Sequence, residues 1–401
     1  MKQRRIRIAA AAMCIGLVSA GMTAAAAETE LSAEMELLTE ASAENAEGLS
    51  DSLYDFQVKI GDVIYQFPMY YEDFTAQGWT IGKNDDPEMG VGTNSYCSVS
   101  FYRGNDRVSV NVLNLGINEL PIKECLIAGI NVNAQYDFDA EKTPVEMPCG
   151  IVIGTSTADD IIAAYGDPSD TYEGEMYTSY SYEKDIYEEA TFYVYKESNA
   201  LQEVDMRNFA EPEGYDKGSV SEEVPEIVTN YTAPTELGTE MLDPRVEFCG
   251  DLYTLPAPVS AFLENGWELV DVEEGAYAAG RDLEFVDMMK NDQTIHVSVY
   301  NFTKNATAIE NCFIRDLSLG SYDSEALTFC LSGGFTIGAK KADLIAAAEE
   351  SGYAYEENGD YLNIYLNADT KYDNRAQFGF YDDEDPETAT SVEYINEILP
   401  E

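Results

Sequence analysis

Residues 65–79 read YQFPMYYEDFTAQGW, and residues 253–267 read YTLPAPVSAFLENGW. Tyr65, Pro68, Phe74, Gly78 and Trp79 recur as Tyr253, Pro256, Phe262, Gly266 and Trp267 at a constant spacing of 188 residues (253 less 65). These two tryptophans are the only ones in the chain, so chance is a poor explanation. Further on, RVSVNVLNL (107–115) matches TIHVSVYNF (294–302), and IKECLI (122–127) matches IENCFI (309–314), both at a spacing of 187 (309 less 122). GIVIGTSTADDIIAAYG (150–166) then matches GFTIGAKKADLIAAAEESG (334–352), with two extra residues in the second helix. Solenoid repeats run about 20–50 residues, so a period this long predicts a duplicated domain. The expected layout is one repeat over 53–210, a linker over 211–243 rich in Glu, Pro, Thr and Gly, and a second repeat over 244–401.

Within each repeat the pattern reads helix, strands, helix, strands. Pro68 and Pro256 are placed to open a helix of about two turns that stops at the glycine before tryptophan. Val108, Val110 and Val112 alternate, as do Ile295, Val297 and Val299, which predicts half-buried strands. A helix over 156–165 carries Ile161, Ile162 and Tyr165 on one side, with Ser156 and Asp159 as its capping box and Gly166-Asp167-Pro168 as its stop. Three strands follow at Tyr177–Tyr182, Thr191–Tyr195 and Gln202–Met206, and again at Tyr361–Leu366, Gln377–Tyr381 and Ser391–Ile395. Consecutive strands after a single helix predict an α+β fold, two homologous tandem domains each with short helices packed on an antiparallel sheet.

The run IGTSTADDIIAAYGDP, from Ile153 to Pro168, followed by three strands, resembles the helix-plus-meander unit of the SmpA/OmlA outer-membrane lipoprotein family. The tandem helix-and-sheet layout is similar to that of the β-lactamase inhibitory protein family. The motif covers about sixty residues per copy. Only the first copy keeps the Gly-Asp-Pro ending, where the second has Gly352-Tyr353-Ala354. The resemblance implies a fold and, by analogy, work through protein–protein binding; it carries over no binding residue.

The chain has 401 residues and a formal net charge of −52. Residues 2–7 (KQRRIR) are basic, Ile8 to Ala20 are apolar, and Ala25-Ala26-Ala27 precede Glu28 as a cleavage site. Residues 1–27 therefore read as a signal peptide, and a secreted or envelope-associated protein is expected. A lipoprotein signal at Cys14 is disfavoured because Met13, not a small residue, precedes it. Residues 28–52, rich in Ala, Glu and Ser, read as an acidic tether. No later run reaches the ~18–20 apolar residues of a membrane-spanning helix. Removing the basic leader makes the charge more negative still, which argues against nucleic acid or an anionic membrane as partner. With hydrophobic residues at 45%, the acidity decorates folded domains.

Six cysteines follow the leader: Cys97, Cys125, Cys149, Cys249, Cys312 and Cys330, and six allow fifteen pairings. The duplication aligns Cys125 with Cys312 and Cys149 roughly with Cys330, which makes Cys125–Cys149 and Cys312–Cys330 the economical disulfides. Buried reduced thiols are the alternative. Cys97 and Cys249 have no counterpart, and no C-x-x-C signals zinc or thioredoxin-like chemistry.

Signs of catalysis are sparse. His296 is the sole histidine and sits opposite Ile295, Val297 and Val299 on its strand, where a surface role is expected; no G-x-S-x-G accompanies it. No cofactor motif is present. The acidic runs Asp85-Asp86-Pro87-Glu88 and Asp382-Asp383-Glu384-Asp385 lack the spacing and central glycine of a calcium loop, so diffuse cation screening is expected there. Tyr180 with Tyr182, and Tyr193 with Tyr195, alternate at strand spacing, and both pairs are assigned to the core. The expected function is a non-catalytic binding or protein-interaction module with a protein or glycan partner. A carboxylate-dependent glycan or cell-wall hydrolase is the first alternative, and a structural or cation-holding envelope component the second.

Overall fold

A computed structural model describes residues 48–320, 323, 327–369 and 371–399. The expected signal peptide and the expected tether up to residue 47 lie outside the described residues. The fold is mixed α+β with antiparallel sheets. In the first half, strands Ser95–Arg103, Asp106–Asn114, Leu126–Asn133, Ala200–Asn208, Glu188–Tyr195 and Tyr177–Asp185 lie side by side in one large sheet, with Asp170–Glu173 along its edge. One face carries Val108, Val110, Val112, Ile130, Val132, Phe192, Val194, Val204 and Met206, all buried. Alternation delivers them there because successive side chains on a strand point to opposite faces.

Against that face pack Phe74 of helix Tyr71–Ala76, Ile161 of helix Ala158–Tyr165, and Val58, Ile60 and Tyr65 of a smaller sheet. The smaller sheet joins strands Gln57–Ile60, Val63–Gln66, Val145–Met147 and Ile151–Val152. The second half divides its strands between separate sheets. Strands Leu283–Lys290 and Gln293–Tyr300 form one sheet with short neighbours, and Asp316–Gly320, Ser391–Asn396, Asn374–Gly379, Tyr361–Tyr365 and Ala354–Asn358 form another. Their inner faces share a separate core around Trp267, Phe262, Leu344 and Tyr394.

Two local expectations are corrected. Pro68 and Pro256 do not open helices; each follows a cis peptide bond and leads into a two-residue strand, Met69–Tyr70 or Ala257–Pro258. Those strands pair with Leu126–Ile127 and Phe313–Ile314, so the helices start only at Tyr71 and Val259. The capping box of the helix at 158–165 is Thr157 with Asp160, not Ser156 with Asp159. Ser156 is spent elsewhere, its hydroxyl accepting from the Val152 N–H at 2.9 Å.

The segment 211–243 is pinned along the body. The Lys217 carbonyl accepts from the Ile117 N–H, the Ser221 N–H donates to Ala306, and Met241 and Leu242 are buried in the second core. The loops after Asn114 and Asn301 also interlock. Ala306 N–H donates to Asn118 Oδ1 at 2.7 Å, Glu119 N–H donates to the Lys304 carbonyl at 2.7 Å, and Gly280 N–H donates to Ile117 at 2.8 Å. Gly280 has to be glycine here, since a Cβ would stand 1.9 Å from the Lys304 carbonyl oxygen.

Candidate functional site

The sheet faces turned away from the two cores hold most of the chemically interesting side chains. In the first half this outer face brings together Glu203, Asp205 and Arg207 from one strand, Glu189, Thr191 and Tyr193 from its neighbour, and Asn131 and Asn133 from the other side. Glu203 is held on both oxygens: Asn131 Nδ2 donates to Oε1 at 2.8 Å and Asn133 Nδ2 to Oε2 at 2.7 Å, with Tyr195 Oη also donating at 3.3 Å. Arg207 is committed to Glu189, its Nε donating to Oε1 at 2.7 Å. Burial pushes the Asp205 carboxyl up to about 6 against the pull of Arg207, and the charges of Glu203 and Glu189 push the same way. Tyr193, desolvated and facing Asp205 and Glu203, is pushed up to about 12. Tyr177 packs edge-on to Tyr193, with ring centroids 5.1 Å apart.

The tyrosines therefore divide. Tyr180 and Tyr182 lie on the core side as expected, but Tyr193 and Tyr195 do not. Tyr193 pairs with Glu203 and Val194 with Leu201, so Gln202 is an extra residue in the partner strand that leaves both tyrosines beside Glu203 on the outer face.

The outer face of the second half aligns with the first through its last strand. Asn208 Nδ2 donates to the Phe67 carbonyl at 2.8 Å, and Asn396 Nδ2 to the Leu255 carbonyl at 2.7 Å, which fixes the correspondence of the two last strands. Asp205 then matches Glu393, and the pairs Thr191–Asp205 and Gln377–Glu393 match across the ladder. A polar bridge is also repeated: Ser181 and Thr191 hydroxyls meet at 2.9 Å, and Gln377 Nε2 donates to Asn363 Oδ1 at 2.7 Å. Burial raises the carboxyls of Glu393 and Asp316, although Arg375 opposes it at Glu393 and the Ser298 hydroxyl opposes it at Asp316. Arg375 Nη2 donates to Glu393 Oε2 at 3.1 Å.

The expected disulfides are not formed, and all six cysteines are free thiols. Cys125 and Cys312 do correspond; each follows a short turn and points its thiol at a carbonyl four residues back, Pro121 or Ala308. Their burial pushes both thiols up to about 12, which keeps them protonated and inert. Cys149 and Cys330 are not equivalents. Cys149 occupies a left-handed turn position (φ 59°) that Gly333 (φ 77°) takes in the second half, whereas Cys330 pairs with Glu247 as Glu146 pairs with Lys59. Cys149 is exposed and directs its thiol to the Asp51 carbonyl, away from Cys125.

The remaining candidates resolve simply. His296 is exposed, stacked on Phe285 with its Nδ1 2.6 Å from Asp287 Oδ1. Glu88 pairs with Lys123, and Asp385 with Lys340, so both acidic runs are partly neutralised by the chain itself. A cavity of about 780 Å³ is lined by Asp106, Asp137, Phe138 and Asp139, among others. Three of its four acids are engaged, Asp137 by Arg107, Asp139 by Lys142, and Asp106 by Thr143 and the Asp139 N–H, and Glu141 is the fourth. Among the described residues no group of three or more His, Cys, Asp or Glu is gathered to hold a metal, and no helix is long and apolar enough to cross a membrane. No family model matches the chain, and no match is found among curated proteins or among solved structures.

Proposed function

We propose that this chain is an exported, non-catalytic binding module built from two copies of one α+β domain. The observation that carries this reading is the outer sheet face of each half. Both faces lie opposite a packed core and set a carboxyl, Asp205 or Glu393, at one matching register position beside a polar bridge between neighbouring strands, and the first face adds Tyr193, Tyr195 and two asparagines around Glu203. Tyrosine supplies an amphipathic contact area at low entropic cost, and amides and carboxyls supply directional bonds, which is the composition of recognition surfaces. The paired cores and the repeated Asn208 and Asn396 bonds support duplication as the origin.

A second reading keeps the hydrolase alternative. Asp205, protonated up to about pH 6, lies two residues from Glu203, whose oxygens are held by amide donors. A carboxyl that can hold a proton, with a second carboxyl beside it, is the pair that glycosidic bond cleavage uses. The binding reading is preferred because the pair lies on a sheet face and neither carboxyl lines the 780 Å³ cavity. The test is affinity capture with residues 28–401 as bait against envelope proteins, peptidoglycan and soluble glycans at low and physiological salt. The binding reading expects a saturable partner at physiological salt and no turnover. Consumption of a glycan moves the assignment to the carboxyl pair, and retention only at low salt leaves a structural or cation-holding role.

A further inference from the structure

We propose that the outer face of the first half docks an extended basic segment of a partner protein by receiving one of its arginine side chains beside Asp205 and Glu203. This rests on the binding reading above and names the partner's chemistry. The second half supplies the precedent within the same chain. There Arg375 stands one strand away from Glu393 on the outer face, its guanidinium bonded to that carboxylate and its side chain only 18% exposed. The strand register equates Glu393 with Asp205 and Gln377 with Thr191, so the position of Arg375 falls on Glu189 in the first half.

Glu189 is an acid, and it consumes the nearest cation, Arg207. Among the described residues, no Lys or Arg nitrogen comes within 4.0 Å of a carboxylate oxygen of Asp205 or Glu203. One half thus bonds its own guanidinium to the carboxylate, whereas in the other Arg207 bonds Glu189 and reaches Asp205 only through its charge. The net charge of −52 draws basic partners toward the whole molecule. The Tyr193 ring and two carboxyls on one side suit a planar guanidinium, which stacks and donates in a fixed fork, better than an ammonium.

The probe is an alternating arginine–serine decapeptide, titrated into the full chain at about 0.15 M salt beside its citrulline and lysine analogues. The expected result is saturation at one peptide per chain, no saturation with citrulline, and weaker binding with lysine. Asp205→Asn should weaken the arginine peptide at least about tenfold, because a carboxylate is removed from a close charge pair. Glu213→Gln removes the same charge from an exposed linker position and should leave affinity within about twofold. Arg375→Ser exposes Glu393 and should raise the stoichiometry to two. Equal binding of the citrulline peptide, equal losses for Asp205→Asn and Glu213→Gln, or a stoichiometry that stays at one in Arg375→Ser would each overturn the proposal. A neutral glycan that binds this face while the arginine peptide does not would overturn it and leave the binding reading standing. Cleavage of that glycan would overturn both.

Discussion

Asp205 shows how one residue can be set against the stability of its own fold. Its carboxyl is half-buried, it faces Glu203, Glu189 and Tyr193, and its nearest cation, Arg207, is spoken for. Because its folded pKa lies above the unfolded value of about 3.9, the native state holds the proton more tightly. Stability is therefore full below about pH 4 and falls as the pH rises toward 6, where the group ionises in place. Asp205→Asn should accordingly raise stability at pH 7.5 by about 1–2 kcal/mol after allowance for solvent screening, with the gain vanishing below pH 4. Urea unfolding across that range checks it. None of this was legible in the sequence, where Asp205 is one of 75 acids. The alternation Glu203-Val204-Asp205-Met206-Arg207 did mark which side chains share a face, but the loss of solvent around them comes from neighbouring strands far away in the chain.

At the scale of elements, the strands were readable because alternation and turn residues are local signals, while their partners were not. The three strands expected after the second helix in each half are all present, shifted at their ends by a few residues. The small sheet that roofs the first core was not foreseen, since Gln57–Ile60 and Val145–Met147 pair across some ninety residues of chain. The cysteines meet the same limit: sequence alignment placed Cys149 against Cys330, whereas strand register places it against Gly333. The helix at 158–165 shows a nearer miss of one residue. Thr157 accepts from the Asp160 N–H at 3.3 Å, and Asp160 accepts from the Thr157 N–H at 2.8 Å, which holds the Asp160 carboxyl below its ordinary range. Thr157→Ala should cost about 1 kcal/mol, measured by thermal unfolding at neutral pH. That penalty should shrink in acid as Asp160 takes up a proton and its part of the cap is lost.

Across the whole molecule, two separate cores are joined by a clasp of polar loops. Asn118 is central to it, since its Oδ1 accepts from the N–H of the fully buried Ala306. Asn118→Ala strands that donor and should destabilise the chain by about 1–3 kcal/mol, read as a lower unfolding midpoint with an unchanged denaturant slope. At this scale the acidity also finds a use, as a long-range attraction for basic partners whose local reader is the first outer face. The most direct test of that account is thermal unfolding of the native chain and of Asp205→Asn at pH 7.5, each with and without the arginine–serine peptide. The account predicts that the peptide raises the native midpoint, and that Asp205→Asn starts higher and does not respond. A variant that starts lower, or that responds to the peptide as fully as the native chain, would contradict it.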